Sequence, residues 1–173
     1  MAGRLFGGEL LDEKARDEIV RLLLGAFADE WIAGYYYMLT AQLVQGPGSQ
    51  VVAEMFMEEA REELTKHAPM IGERLSQLGV EPPREFARLW ELSPCKYPEL
   101  PSDPFDVEGF IIAAVKAELC AIEGYKRLYE AAHGRDPVTE KLAKELLEDE
   151  VSHRNMLVGM LSKEGLRRLE ETI

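Results

Sequence analysis

Cysteine is scarce in this chain, with only Cys95 and Cys120 among 173 residues. Two are too few for a secreted disulfide scaffold, and they lack the C-x-x-C spacing of a zinc ribbon. Basic residues are in deficit: 20 Lys and Arg face 32 Asp and Glu, a formal net charge of -12. Such a chain repels phosphate backbones, so nucleic-acid binding is not expected and small cations are the expected charged partners. No uninterrupted apolar run approaches the ~20 residues needed to cross a bilayer. The opening MAGRLFGGELLDEKARDE has no basic segment followed by an apolar one, which argues against an export signal. These absences predict a cytoplasmic protein with no membrane partner. Strand signals are missing too, because nowhere do β-branched residues alternate between turns.

What is present is apolar content and helical periodicity. At 46% hydrophobic residues the chain can fill a core, and its length predicts one domain over residues 1–173. Pro and Gly cut it into long segments. Asp12 is an N-cap for helix A, which runs to about Gln45 and is stopped by Gly46-Pro47-Gly48. Helix B is expected from Ser49 to Leu78, closed by Gly79, with Pro69 inside it forcing a kink or local irregularity. A short helix is predicted in REFARLWEL, followed by a proline-rich loop, CKYPELPSDP. Helix C then begins near Asp106 and ends at Gly134, and Asp136-Pro137 opens helix D, which ends before Gly165. Helices on the order of 40 to 50 Å long, at about 1.5 Å per residue, suit an antiparallel bundle. The predicted fold is all-α: two hairpins, A with B and C with D, joined by one long B-to-C crossover.

The chemistry lies on the inward faces. Glu30 shares a helical stripe with Leu23, Phe27, Gly34 and Tyr37, and Glu118 one with Ile111, Val115, Ile122 and Tyr125. In helix B, Glu63 and His67 are four apart; in helix D, Glu150 and His153 are three apart. Each hairpin thus offers Glu, Glu and His. The halves correspond at offsets of 88 for Glu30/Glu118 and Tyr37/Tyr125, 87 for Glu63/Glu150 and 86 for His67/His153, an internal pseudo-repeat. Four inward carboxylates repel one another until some take up protons, whereas two divalent cations cancel their charge. Oxygen-rich ligation with one imidazole per metal suits iron or manganese better than structural zinc. Glu58, Glu59, Glu62, Glu123 and Glu148 are assigned to the solvent face, where most carboxylates lie.

These four helices resemble the ferritin-like superfamily. SPCKYPELP with Cys95 ahead of helix C, and AELCAIEGY with Cys120 two residues after Glu118, are most similar to the Dps-like thioferritins, whose hallmark is a cysteine pair beside a bacterioferritin-like dimetal site. Bacterioferritins, rubrerythrins and manganese catalases share the Glu and His pattern without this cysteine placement. The resemblance implies oxidation of Fe(II), preferentially with hydrogen peroxide, protection from oxidative stress, and storage of the oxide in a twelve-subunit shell. It makes Glu30 and Glu118 terminal ligands of two iron ions per subunit, Glu63 and Glu150 bridges, and His67 and His153 one ligand to each metal, with Tyr37 and Tyr125 orienting them. One departure stands out: the family has Glu three before this first His, yet position 64 is leucine, so Glu63 must serve, helped by an irregularity such as a π-bulge. Rival readings are a manganese catalase, a rubrerythrin-like peroxidase and a bundle that only stores metal. Cys120 points about 200° away from Glu118 around the helix, and a reversible Cys95–Cys120 disulfide beside the site is expected. Shell contacts are sought in Phe86, Trp90, Tyr97 and Phe105 around the crossover.

Overall fold

Asp12 accepts a hydrogen bond from the Ala15 amide at 2.9 Å and so opens α1, Glu13–Leu43. The structure is a computed structural model that describes residues 11–173; most of the opening segment read for a targeting signal lies outside them. α1 stops two residues short of the expected Gln45. Gly46 and Gly48, at φ 100° and 81°, then take backbone conformations in which a Cβ would be strained. Helix B forms in three pieces: α2, Ser49–Glu62; one π-helical turn, Glu63–His67; and α3, Ala68–Gln77. Pro69 stands just after the π turn, where its missing N–H leaves the α-helical ladder already interrupted.

The crossover carries α4, Phe86–Leu92, which packs on α1. It ends at the opposite end of the bundle, where the Gln45 amide donates to Pro104 O at 2.7 Å. α5, Val107–Ala132, is capped by Asp106, and α6, Pro137–Gly159, by Asp136. Arg74 of α3 donates to Asp136 and Thr139 at 2.6 and 2.8 Å, tying the first hairpin to the start of α6. A further helix, α7, Lys163–Glu170, lies across the point where Gly165 was read as a terminator. The Glu108 carboxylate of α5 lies against that glycine, 2.7 Å from where a Cβ would stand.

The long helices α1, α2–α3, α5 and α6 form the bundle, with α1 on α2 and α5 on α6 as neighbours. Among the described residues there is no strand, and no helix is long and apolar enough to cross a membrane. The apolar core falls into two clusters. One is built around Tyr37, Phe56, Phe110, Ile111 and Leu157, the other around Ile19, Leu23, Ile71, Leu75, Leu128 and Leu146. Between them every long helix turns polar on its inner face.

Candidate metal centre

That polar layer holds all six sequence-predicted ligands. Glu30 comes from α1, Glu63 and His67 from the π turn, Glu118 from α5, and Glu150 and His153 from α6; every one is buried, His67 completely. The two apolar clusters on either side of the layer keep water out and hold the carboxylates in a low-dielectric layer.

The π turn solves the spacing problem at Glu63. In an α-helix, residues three and four apart lie on opposite sides of the same face. Glu150 and His153 use the spacing of three. In the other hairpin the Ala68 amide reaches back five residues to Glu63 O, which fits one extra residue into the turn. A four-residue spacing then presents Glu63 and His67 much as three residues present their counterparts. The same extra residue is the step from 87 to 86 in the repeat offset. Leu64, which stands where the family has Glu, lies over Gly34 of α1, so closely that a Cβ there would be 2.4 Å from Leu64 Cγ. It packs helix against helix and is no ligand.

Two groups of donor atoms emerge. Glu30, Glu63, His67 and Glu150 each bring one ligand atom within 4.8 Å of the others, and so do Glu59, Glu63, Glu118 and His153. Glu63 belongs to both. Glu150 also reaches both, with Oε1 3.2 Å from His67 Nδ1 and Oε2 3.2 Å from His153 Nδ1. His67 Nδ1 further lies 2.7 Å from Glu63 and 3.4 Å from Glu30. The imidazoles are 5.9 Å apart, nearly parallel. Both tyrosines act across the hairpins: Tyr37 donates to Glu118 Oε1 and Tyr125 to Glu30 Oε1.

Glu59 corrects the sequence reading. It was assigned to solvent, yet it is buried, with Oε2 3.0 Å from His153 Nδ1. The signal was available, since Glu59 precedes Glu63 by four residues and so shares its face. Glu62, assigned to solvent with it, is half-buried behind the imidazoles, 3.4 Å from His153 Nε2, while Asp149 lies 3.3 Å from His67 Nε2 and Lys66 bridges the two acids. These outer carboxylates hold Nε2 protonated and turn each Nδ1 to the interior. Glu58, Glu123 and Glu148 are exposed as expected.

Without metal the layer is strained electrostatically. Burial, reinforced by Glu150, pushes Glu63 and Glu118 well above the ordinary carboxyl range, and burial pushes Glu59 up to about 7. Burial also raises Glu150, but His153, hydrogen-bonded to Oε2, and the neighbouring His67 outweigh it and hold Glu150 down at about 2. Desolvation disfavours charge on His67, yet Glu150, Glu30 and Glu63 around Nδ1 prevail and raise it; His153 is raised through Glu150 and Glu59 against the same penalty. Protons thus do the neutralising that a cation would do. Four buried oxygens, Glu30 Oε2, Glu59 Oε2, Glu118 Oε2 and Glu150 Oε1, still accept no hydrogen bond. Buried orphan carboxylate oxygens are costly, and the donor set of oxygens with one imidazole per group fits two divalent iron or manganese ions.

The cysteines sit beside this layer. Cys95, in the crossover, and Cys120, on α5, are joined in a disulfide with Cα atoms 5.9 Å apart. The segment around Cys95 grips α1 next to Glu30: Asp29 accepts hydrogen bonds from Ser93 Oγ and, at 3.4 Å, from the Cys95 amide, and Tyr97 donates to Asp29 O at 3.1 Å. Burial lifts the Asp29 carboxyl to about 7. Of the four aromatics sought for shell contacts, Phe86, Trp90 and Phe105 are exposed; Tyr97 is half-buried against Tyr36.

A helical bundle with two carboxylate–imidazole groups sharing two glutamates has the arrangement of the dimetal-carboxylate four-helix class. The ferritin-like domain family matches residues 21–166, and the chain belongs to it. It is 30% identical over 146 residues, 84% of this chain and 78% of the relative, to the DNA protection during starvation protein of Pyrococcus furiosus. Among solved structures it is similar to a dodecameric thioferritin, the bacterioferritin-related protein from Bacteroides fragilis. That likeness has TM-score 0.82 and 29% identity, covering 99% of this chain and 97% of that one. Dps from Thermosynechococcus elongatus matches in fold, with TM-score 0.79 and 20% identity over 87% of this chain and 94% of that one. Family and buried clusters together support iron oxidation and storage at the level of the family.

Proposed function

We propose that the chain is a ferroxidase of the thioferritin type, which oxidises Fe(II) with hydrogen peroxide inside each subunit and stores the ferric product. The observation that carries this reading is the pair of donor groups joined through Glu63 and Glu150, with four buried carboxylate oxygens lacking hydrogen bonds. Fe(II) is the substrate. Glu30 with His67, and Glu118 and Glu59 with His153, hold the two ions, and Glu63 and Glu150 span them. Tyr37 and Tyr125 fix one oxygen of each terminal carboxylate so that the other faces the metal. Two ferrous ions give one electron each, the O–O bond breaks, and two protons complete two waters; oxidation thus consumes peroxide without releasing hydroxyl radical. The arriving cations displace the protons that burial favours on Glu63 and Glu118, and the two protons that complete the waters come from solvent.

A twelve-subunit shell in the cytoplasm, protecting the cell from oxidative stress, extends the proposal. Its support is the likeness to the dodecameric Bacteroides protein along nearly the whole chain. The Cys95–Cys120 pair, within the segment that grips Asp29, is proposed as a reversible redox link to the site. The deciding experiment loads metal-free protein anaerobically with Fe(II), counts ions per chain, and follows ferric absorbance after peroxide. Two ions per chain and one peroxide consumed per two irons are expected, with both lost in Glu30→Ala and Glu150→Ala. Unchanged oxidation in those variants would sink the proposal. The same donors suit manganese, and peroxide-driven oxygen release from Mn(II)-loaded protein would replace the ferroxidase by a catalase.

A further inference from the structure

We propose that a slot between α1 and α5 is the entrance for the oxidant, and that it admits organic hydroperoxides as well as hydrogen peroxide; this rests on the peroxide-dependent reading above. The slot exists because small residues face one another there: Gly25 and Ala26 on α1, Ala121 and Gly124 on α5. A Cβ added at Gly124 would meet nothing within 4 Å. Leu92 and Pro94 of the crossover close one side, and the Cys95–Cys120 disulfide ties that wall to α5.

Its inner end is the metal centre. Asp29, Glu30 and Tyr125 line it, and Asp29, Glu30 and Ala121 also line the small internal cavity between the ligands. The Tyr125 hydroxyl at this end donates to Glu30, a ligand of the first metal. The outer end carries exposed Arg21 and Arg127, with Glu91 in the lining and Glu123 paired to Arg127 at 3.3 Å. This mouth is close to neutral, whereas the opposite face, behind the imidazoles, presents Glu62 and Asp149 against the single Lys66, which favours a cation there. Iron and oxidant therefore have different doors.

Size and polarity name the second substrate class. The slot encloses about 190 Å³, roughly an order of magnitude more than the ~10–15 Å³ one water needs on that measure, so hydrogen peroxide would leave it nearly empty. It is smaller than the ~300–1,000 Å³ of drug-sized pockets. Apolar walls with a buried polar end fit a neutral molecule that carries one compact hydrocarbon group and an –OOH. The reaction balances with the electrons already present: two Fe(II) supply one each, the RO–OH bond breaks, and two protons yield ROH and water.

The test mixes anaerobically Fe(II)-loaded full-length protein with hydrogen peroxide or with cumene hydroperoxide, reading ferric absorbance and cumyl alcohol. One alcohol per two irons oxidised is expected. Gly124→Leu, which fills the slot, should raise the half-saturating cumene hydroperoxide concentration about tenfold or more, and that for hydrogen peroxide by less than about threefold, the range expected when a hydrocarbon branch occupies a pocket. Ala26→Leu, on the facing wall, should give the same split, and carries the test if Gly124→Leu does not fold. Hydrogen peroxide active with no cumyl alcohol formed would overturn this inference and leave the ferroxidase reading standing. So would equal losses for both peroxides in the variants. Failure of both peroxides with wild-type protein would overturn the ferroxidase reading and this one with it.

Discussion

Metal binding to this centre is expected to expel protons, and the direction follows from the buried layer. Burial pushes Glu63 and Glu118 well up, and the carboxylates around Nδ1 raise His67 against its desolvation, so each of the three favours its proton when no metal is bound. Glu59, lifted to about 7, is half protonated. Metal ligands must be deprotonated, so loading two divalent ions should release protons, and each proton released makes the apparent constant rise about tenfold per pH unit, about 1.36 kcal/mol. The assay is calorimetric titration of metal-free protein with Mn(II), which avoids oxidation, in two buffers of different ionisation enthalpy at each pH. Glu63→Gln should release fewer protons and bind more weakly. Release of less than one proton per metal pair, or an affinity that is flat with pH, would refute the reasoning that protons stand in for cations here.

Four further outcomes are expected. Glu59→Gln should weaken the metal beside His153 by roughly 10- to 100-fold and spare the one beside His67, while Glu58→Gln, exposed one residue away, changes neither; competition with a fluorescent chelator reads both. Tyr37→Phe removes the donor to buried Glu118 Oε1, and should cost the metal-free protein about 1–3 kcal/mol in urea unfolding, with Tyr125→Phe doing the same at Glu30. With a chelator present, stability should fall as pH rises from about 4.5 to 7. Glu59 is lifted from 4.5 to about 7 and Asp29 from 3.8 to about 7, so the folded state holds more protons than the unfolded state across this window. Glu59 alone withdraws on the order of 3 kcal/mol, and a urea midpoint that climbs over this range would contradict it. Cys95→Ser should cost about 3 kcal/mol, from the loop entropy of a 25-residue separation; an unchanged midpoint, with the wild-type linkage verified by mass spectrometry, would remove that role.

Most of the fold was legible because its determinants are local. Asp12, Asp106 and Asp136 each cap the helix they were expected to open, and the positive-φ Gly46, Gly48 and Gly134 sit at the turns. What was missed depends on contacts distant in sequence. Helix D does end before Gly165, but α7, whose residues from Lys163 pack back toward Glu108 of α5 more than fifty residues earlier, was not foreseen. Likewise the stripe that each tyrosine shares with a glutamate does not say which glutamate it will bond. The structure pairs Tyr37 with Glu118 and Tyr125 with Glu30, a crossing that only the packing of α1 against α5 can set.

The ligand layer was legible for a different reason: a carboxylate on an apolar stripe contradicts its surroundings, and six such contradictions in two matched sets point to one cause. Glu59 escaped because it lies among Glu54, Glu58, Glu62 and Glu63, where abundance of acid hides the one facing inward. The π turn resolves that run. By adding a residue between Glu63 and His67 it rotates the helix after Glu63 relative to the helix before it, so that Glu59 and Glu63 reach the second donor group while His67 reaches the first. A regular α-helix through the same residues would trade one contact against another. The irregularity that the four-residue spacing demanded is therefore also what brings the unread seventh residue into the centre.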